Sequence, residues 1–460
     1  MPKRVAIIDI GSNSLRLVIF QRTSRFGFHL INQLKSNARI SEGSFENKGY
    51  LQPKAIARTI STLSTFQDVI KDYKAKKTLV IATAAVRNAP NRLEFLKEVR
   101  EKTKLNIKVI DGKKEAFLAA VAAKNLLPIS NAVTIDIGGG SSDIALIKDE
   151  EIIDTISLNI GTITIKELFL DKNKSIEEAR EFIKKEISKI PPSFKGDKIV
   201  AIGGVLRALA KSIMELTNYS FKKIHAFEYS FSNFTSHFEN ILNAKDNKEL
   251  KKLFIKESRF DTIKSGLLIF KEIVEHLKID NIITSGVGIR EGLFLYDMLR
   301  GVGGKFPKEL NPSIVSINDR FDLLKLPIKY KVKIVKELFN TLSSKANLDS
   351  FYLKHLTDAT KISNIGKTLT IYEEHKHAYY IASQELNWKY THKDMLLIAI
   401  ILRSKGDKLI YKPLKKEHKS LLPSKKIIKW LGFIYTLSDI LFSYSYRIKY
   451  HFEIRDNSLI

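Results

Sequence analysis

Asp9 and Asp136 each open the same short pattern, D-I-G-x-x-S, as DIGSNS at Asp9–Ser14 and DIGGGS at Asp136–Ser141. Apolar runs flank both: Val5–Ile8 and Leu15–Phe20 around the first, Val133–Ile135 and Ile144–Ile147 around the second. Each copy therefore reads as a strand, a tight turn and a returning strand. Glycine lets backbone N–H groups approach a ligand closely. Ser12, Asn13 and Ser14 in one turn, and Gly138, Gly139, Gly140, Ser141 and Ser142 in the other, are donors suited to phosphate oxygens. A bare carboxylate repels phosphate, so the aspartates call for a divalent cation. Mg2+ fits, because it takes hard oxygen ligands from one or two carboxylates together with substrate phosphates. Two such half-sites facing one another can grip a phosphate chain from both sides.

Other stretches carry weaker signals. Arg87 follows the apolar run KTLVIATA, where ligands of α/β sheets bind, but a solvated loop position explains it equally well. DGKKEAFLAAVAAKNLL (Asp111–Leu127) reads as a cap and an alanine-rich helix with Glu115 in its first turn, where the helix dipole favours any carboxylate. From pattern alone, Glu115 is a helix-stabilising acid. KIVAIGGVLRALA brings Gly203 and Gly204 to a strand-to-helix turn, and NIITSGVGIREG repeats that grammar with Arg290 at the helix start. Either turn can offer helix N-terminal amides to an anion. His375 and His377 are two apart, which is poor chelate geometry on a helix.

The elements that must position these residues divide the chain. Up to about residue 300, β-branched runs alternate with amphipathic stretches, the signature of an α/β fold. GVGGKFP (Gly301–Pro307) and Asn311-Pro312 then read as breaks. Beyond them, KVKIVKELFNTL, MLLIAIILR and SKKIIKWLGFIYTLSDILF carry helical spacing, so an all-helical region is expected.

A chain of 460 residues implies two or three domains. Its net charge of +27 is permissive for a polyanionic ligand, but the excess is mostly lysine, which commonly reflects solvated surface. No apolar run is long enough to span a membrane, and Asp9 interrupts the first one, which argues against a signal peptide. The absence of cysteine excludes disulfides and thiolate metal sites and makes the cytoplasm the expected location.

Taken together, these motifs resemble the exopolyphosphatase / guanosine pentaphosphate phosphohydrolase family, within the superfold of actin, sugar kinases and heat-shock chaperone ATPases. The resemblance rests on DIGSNS, R-x-x-E-G at Arg39, Glu42 and Gly43, and L-x-P-x-A-I-x-R-T at Leu51–Thr59. It continues through TAAVRNA at Thr83–Ala89, DIGGGSSD at Asp136–Asp143, R-x-D-x-I-x-x-G at Arg259–Gly266 and SGVGIREG at Ser285–Gly292. It implies two ribonuclease H-like domains at 1–127 and 128–304, with the site in the cleft between them. A helical domain at 305–460, related to histidine–aspartate phosphohydrolase domains, would follow.

Carried over by position, Glu115 matches the catalytic acid, while Asp136 and Asp143 match metal-associated carboxylates, with Asp9 a further cleft carboxylate. Arg39 and Arg87 become phosphate ligands, and Gly203, Gly204 and Arg290 a nucleotide or second anion contact. Asp143 replaces a usual Glu, Lys114 stands where a second Glu is usual, and Ser41 replaces a Gly. Ser363 and Asn364 occupy the position of a histidine–aspartate dyad, so a second metal centre is not expected there.

The implied activity is Mg2+-dependent release of the terminal phosphate from inorganic polyphosphate or guanosine pentaphosphate. Two rivals stay open at this point: an ATP-using enzyme of the same superfold, and a sensor that binds guanosine penta- or tetraphosphate without turnover. No membrane or specific nucleic-acid partner is implied, and a homodimer is compatible with the resemblance.

Overall fold

A computed structural model describes residues 3–44, 46–172, 174–322, 324–406, 412–444, 449–456 and 458–460. The chain separates into two compact units: Met1–Arg22 with Phe28–Phe306, and Thr23–Gly27 with Pro307–Ile460.

The first unit contains two mixed sheets with closely related layouts. One runs β3-β2-β1-β4-β5, built from β1 (Lys3–Ile10), β2 (Leu15–Arg22), β3 (Phe28–Ser36), β4 (Lys77–Ala82) and β5 (Ile107–Val109). The other runs β10-β11-β9-β6-β7-β8. Its strands are β6 (Ala132–Ile137), β7 (Ser142–Lys148), β8 (Glu151–Leu158), β9 (Lys198–Ile202), β10 (Phe227–Ser230) and β11 (Asn281–Thr284). In both, an antiparallel hairpin carries the D-I-G turn and its first strand pairs in parallel with the next strand of the sheet, β4 or β9. These are two ribonuclease H-like halves, the architecture of the actin superfold. Their central strands are buried on both faces, which is why they read as unbroken apolar runs rather than alternating ones.

Separate cores fill the two halves. Ala6, Ile8, Leu63, Phe66 and Phe95 pack beside the first sheet, and Val133, Ile199, Leu206, Ile213 and Phe270 beside the second. The helix Gly112–Leu126 runs from one half to the other. It opens on Asp111, whose side chain accepts from the Lys114 N–H at 2.7 Å. Its alanines let other elements approach from several sides, so Ala116, Ala119, Ala120, Ala122 and Ala123 are all buried. The helix Ile289–Met298 meets it at Gly292, where an added Cβ would stand 1.8 Å from the Leu118 carbonyl oxygen. A small apolar cluster of Ile81, Ile110, Leu118 and Ile289 completes the joint.

The second unit is helical. Its longer elements are Pro312–Phe321, Lys329–Ala346, Tyr352–Lys361, Glu374–Glu385, His392–Arg403 and Lys425–Tyr444. The Asn311-Pro312 break is a helix start: the Asn311 side chain accepts from the Ser313 and Ile314 N–H groups, and Pro312 takes the first turn, where no N–H is needed. Among the described residues, no helix is long and apolar enough to cross a membrane.

The Gly292 contact predicts that Gly292→Ala forces the two helices apart and lowers stability by about 1–3 kcal/mol, the usual range for overpacking. Gly301→Ala, with nothing within 4 Å of the added atom, should leave the melting temperature unchanged. Thermal unfolding of both variants checks this, and equal melting temperatures would contradict it.

Candidate active site

The two D-I-G turns are built alike and face one another. Gly11 N–H donates to the Ser14 carbonyl at 3.2 Å, and Gly138 N–H donates to the Ser141 carbonyl at 2.9 Å. A Cβ placed on Gly139 would lie 3.6 Å from the Ser12 Cβ, and one on Gly140 would lie 3.6 Å from the Ala84 Cβ. Beside this contact opens a cavity of about 480 Å3, lined by Ser12, Ser41, Lys48, Asn88, Gly139 and Gly140 among others. Carbonyls of the second turn are already engaged, since Gly138 O accepts from Thr162 N–H at 2.9 Å and Gly139 O from Ile163 N–H at 2.8 Å. The N–H groups of Ser12, Asn13, Gly139 and Gly140 donate to no backbone carbonyl among the described residues.

Register places the acids. Asp136 lies directly across from Asp143 in the second hairpin, whereas the equivalent pair in the first hairpin is Asp9 and Arg16. Directly opposed residues have Cβ atoms roughly 4.5–5.5 Å apart, and like charges there repel. Asp143 is buried and accepts from the Ser157 hydroxyl at 2.5 Å and the Ser141 hydroxyl at 3.2 Å. Glu115 sits in the first turn of the helix Gly112–Leu126, close by, because Gly112 packs directly against Ser157 and Asp143. Its side chain is only 17% exposed, so the expectation of a surface acid drawn from pattern alone does not hold. Arg87 Nη1 reaches Glu115 Oε2 at 3.4 Å and the Ile110 carbonyl at 3.1 Å.

Crowding shifts these acids upward. Burial raises Glu115 well above the ordinary carboxylate range, reinforced by repulsion from Asp143, Asp9 and Asp136 and opposed by Arg87. Burial also pushes Asp143 up to about 7 against the Ser157 hydrogen bond, and Asp136 up to about 6 against the pull of Arg207. Asp9 is raised for the same reason, though Arg290 and Arg16 hold it back. Four carboxylates thus share one poorly solvated region.

Guanidinium groups adjoin them. Arg290 is buried, and its Nη1 has no hydrogen-bond partner. Arg207 is anchored by its Nε on the Ser285 carbonyl at 2.9 Å and lies next to Asp136 electrostatically. Burial, together with Arg290 and Arg207, pushes the Arg16 guanidinium down to about 10. Gly203 has a φ of 103°, and a Cβ there would stand 2.9 Å from Asp136 Oδ1. A Cβ on Gly204 would strike the Arg259 guanidinium at 2.5 Å. The glycine pair therefore lets Asp136 and Arg259 close in on the same turn.

Other expected positions lie differently. Ser142 is fully buried and donates its hydroxyl to the Ile160 carbonyl at 2.7 Å, anchoring the turn. Arg39 is an exposed residue on a loop that reaches the first turn through Ser41, whose N–H and hydroxyl both donate to the Ser12 carbonyl, at 3.3 and 3.1 Å. Lys114 holds its ammonium over the rings of Phe117 (4.2 Å) and Tyr296 (4.0 Å). Arg16 and Arg207 had not been singled out. Their only sequence signal is a charge set in the apolar strand LRLVIF and another in the first turn after Gly203-Gly204.

Comparison with known proteins bears on the family and the fold of this unit. The sequence profile of the Ppx/GppA phosphatase family matches residues 18–301. A bifunctional 3-dehydroquinate synthase/phosphatase from Fusobacterium nucleatum is 28% identical over 298 residues, which is 61% of this chain but only 44% of that protein. Exopolyphosphatase 2 of Mycobacterium tuberculosis is 24% identical over 313 residues, 64% of this chain and 98% of the relative. The crystal structure of the Aquifex aeolicus Ppx/GppA family member superposes with a TM-score of 0.58 at 28% identity, covering 66% of this chain and 99% of the other. The family profile lies within the two-sheet unit, and the helical region after it falls outside the match. Over that span the chain belongs to the Ppx/GppA phosphatase family.

Proposed function

We propose that the chain is a Mg2+-assisted phosphohydrolase that removes the terminal phosphate of a linear phosphoanhydride, either inorganic polyphosphate or guanosine pentaphosphate. The observation that supports this best is the meeting, in one cleft, of carboxylates raised by burial with Arg290, whose buried Nη1 makes no hydrogen bond. A phosphate chain with a cation satisfies both at once. The naming of the mycobacterial relative as an exopolyphosphatase favours the same substrate class.

The carboxylates suit Mg2+ in particular. Among the described residues, no three His, Cys, Asp or Glu side chains form a cage for an ion. Mg2+ needs no such cage, because one or two carboxylates suffice when phosphate oxygens and water complete its shell. Asp136 and Asp143 are the residues that would hold it, with Asp9 beside them. When bound there, the ion would offset negative charge on the phosphoryl group being transferred.

The chain's own residues supply the rest. The N–H groups of Ser12, Asn13, Gly139 and Gly140 hold the terminal phosphate, and Arg87 both orients Glu115 and faces the anion. Glu115 takes a proton from water as the water oxygen bonds to the terminal phosphorus. The bond from that phosphorus to the bridging oxygen then breaks, and the electron pair leaves with the shortened chain. Arg16, Arg207, Arg259 and Arg290 take the remaining phosphates. Positioning and electrostatics dominate phosphoryl transfer, so fixed donors and cations are the machinery required.

Glu115→Gln should retain substrate binding and lose roughly 10²–10⁴-fold in turnover, the span typical of general base removal. Phosphate release from polyphosphate and guanosine pentaphosphate, assayed side by side, measures it. Turnover within a few fold of the parent would remove Glu115 from the role. Arg259→Ala should raise KM for polyphosphate, because Arg259 closes on the same Gly203-Gly204 turn as Asp136. An unchanged KM would remove Arg259 from the phosphate contacts.

Stability should also report the acids. The folded state keeps protons on Asp136 and Asp143 that the unfolded chain releases, so stability falls as pH rises from about 4 through about 7. Millimolar Mg2+ should raise the melting temperature by several degrees near pH 8 and far less near pH 5. Scanning calorimetry of the parent and of an Asp136→Asn/Asp143→Asn double variant tests this. The same Mg2+ shift in both would overturn the assignment.

A further inference from the structure

A second polar cavity lies wholly within the helical unit. Its volume is about 240 Å3, and Lys367, Glu374, His375, Lys405, Thr436 and Asp439 contribute to its walls. Ser363, singled out in the sequence as a poor metal ligand, also lines it. Buried side-chain atoms that make no hydrogen bond here include Oγ1 of Thr436, which is 9% exposed, and Nδ1 of His375. Leaving a buried polar atom unpaired costs about 1–3 kcal/mol, so such atoms at one cavity call for an occupant.

The charges indicate its sign. Both acids on the wall are already held: Glu374 by Lys405 Nζ at 3.0 Å, and Asp439 by Lys331 Nζ at 2.5 Å. Lys367 is half-buried and takes part in no ion pair among the described residues. Burial keeps His375 below its usual range, hence a neutral imidazole able to donate from one ring nitrogen. An unpaired ammonium, a hydroxyl and an imidazole around one cavity make a set for a small oxyanion. The two acids on the wall are both held by lysines, so no free carboxylate among the described lining residues is left to hold a cation. Nucleotide and cofactor pockets run to roughly 300–1,000 Å3, so this one suits a single phosphate group with little attached.

We propose that this cavity is a second anion site, separate from the cleft, which binds one small phosphate-class oxyanion through Lys367, Thr436 and His375. The inference does not rest on the proposed hydrolysis, and its test keeps the two apart. In the full chain carrying Arg87→Ala and Arg290→Ala to weaken the cleft, equilibrium dialysis with labelled inorganic phosphate should still find one bound ion per chain. Adding Lys367→Ala should weaken that binding at least tenfold, Lys367→Arg should restore most of it, and Thr436→Val should weaken it several fold. A parallel arm with glycerol phosphate distinguishes a free ion from a phosphate ester as the preferred form. No binding of either compound in the cleft-weakened chain, or binding indifferent to Lys367→Ala, would overturn the proposal. Lys367 is only half-buried, so the test survives even if the Thr436 variant fails to fold.

Discussion

Electrostatic frustration in the cleft organises the two-sheet unit. Four carboxylates converge where water is scarce, and beside them stand guanidiniums, among them that of Arg290 with its buried Nη1 unpaired. Low local dielectric strengthens attraction between opposite charges, but it also makes each unpaired charge expensive. In the proposed function, an anion and a cation complete the site together.

Pseudo-symmetry explains how the arrangement arises. The two hairpins share the same turn, the same closing hydrogen bond and the same cross-strand register. They differ in the residue opposite the aspartate, which is Arg16 in one and Asp143 in the other. One difference of charge at an equivalent position makes the repeated scaffold asymmetric, with an acid opposite a guanidinium in one hairpin and opposite a second acid in the other. The helix Gly112–Leu126 then brings Glu115 beside these acids. Gly292 lets a second helix lie against it closely enough to bring Arg290, near its own start, into the same space.

The helical unit obeys different rules. Its buried polar residues are mostly paired within it, as in the bond between His355 Nε2 and Asp394 Oδ1 at 2.8 Å and the cluster of Lys354, Lys361 and Tyr390 around Asp358. Three of the exceptions, on Ser363, His375 and Thr436, line the small cavity. Because the family match ends at residue 301, what this unit contributes has to be argued from its own side chains.

Much of this was legible in the order of residues alone. The repeated D-I-G turn, the change from α/β to helical spacing after GVGGKFP, and the Asp111 cap all depend on neighbours in sequence, so local patterns report them. Glu115 shows the limit. A carboxylate in the first turn of a helix looks like dipole stabilisation, and nothing nearby in the chain reveals that Asp143, Asp9 and Asp136 crowd around it. Arg16 and Arg207 escaped notice for a related reason, since each sits in an element whose pattern is otherwise apolar. Ser142 errs in the other direction: a hydroxyl in the right motif proves to be spent on the Ile160 carbonyl. Strand and helix periodicity records which face of an element is dry. Which charges share that dry space depends on distant segments meeting, and only the tertiary structure decided it.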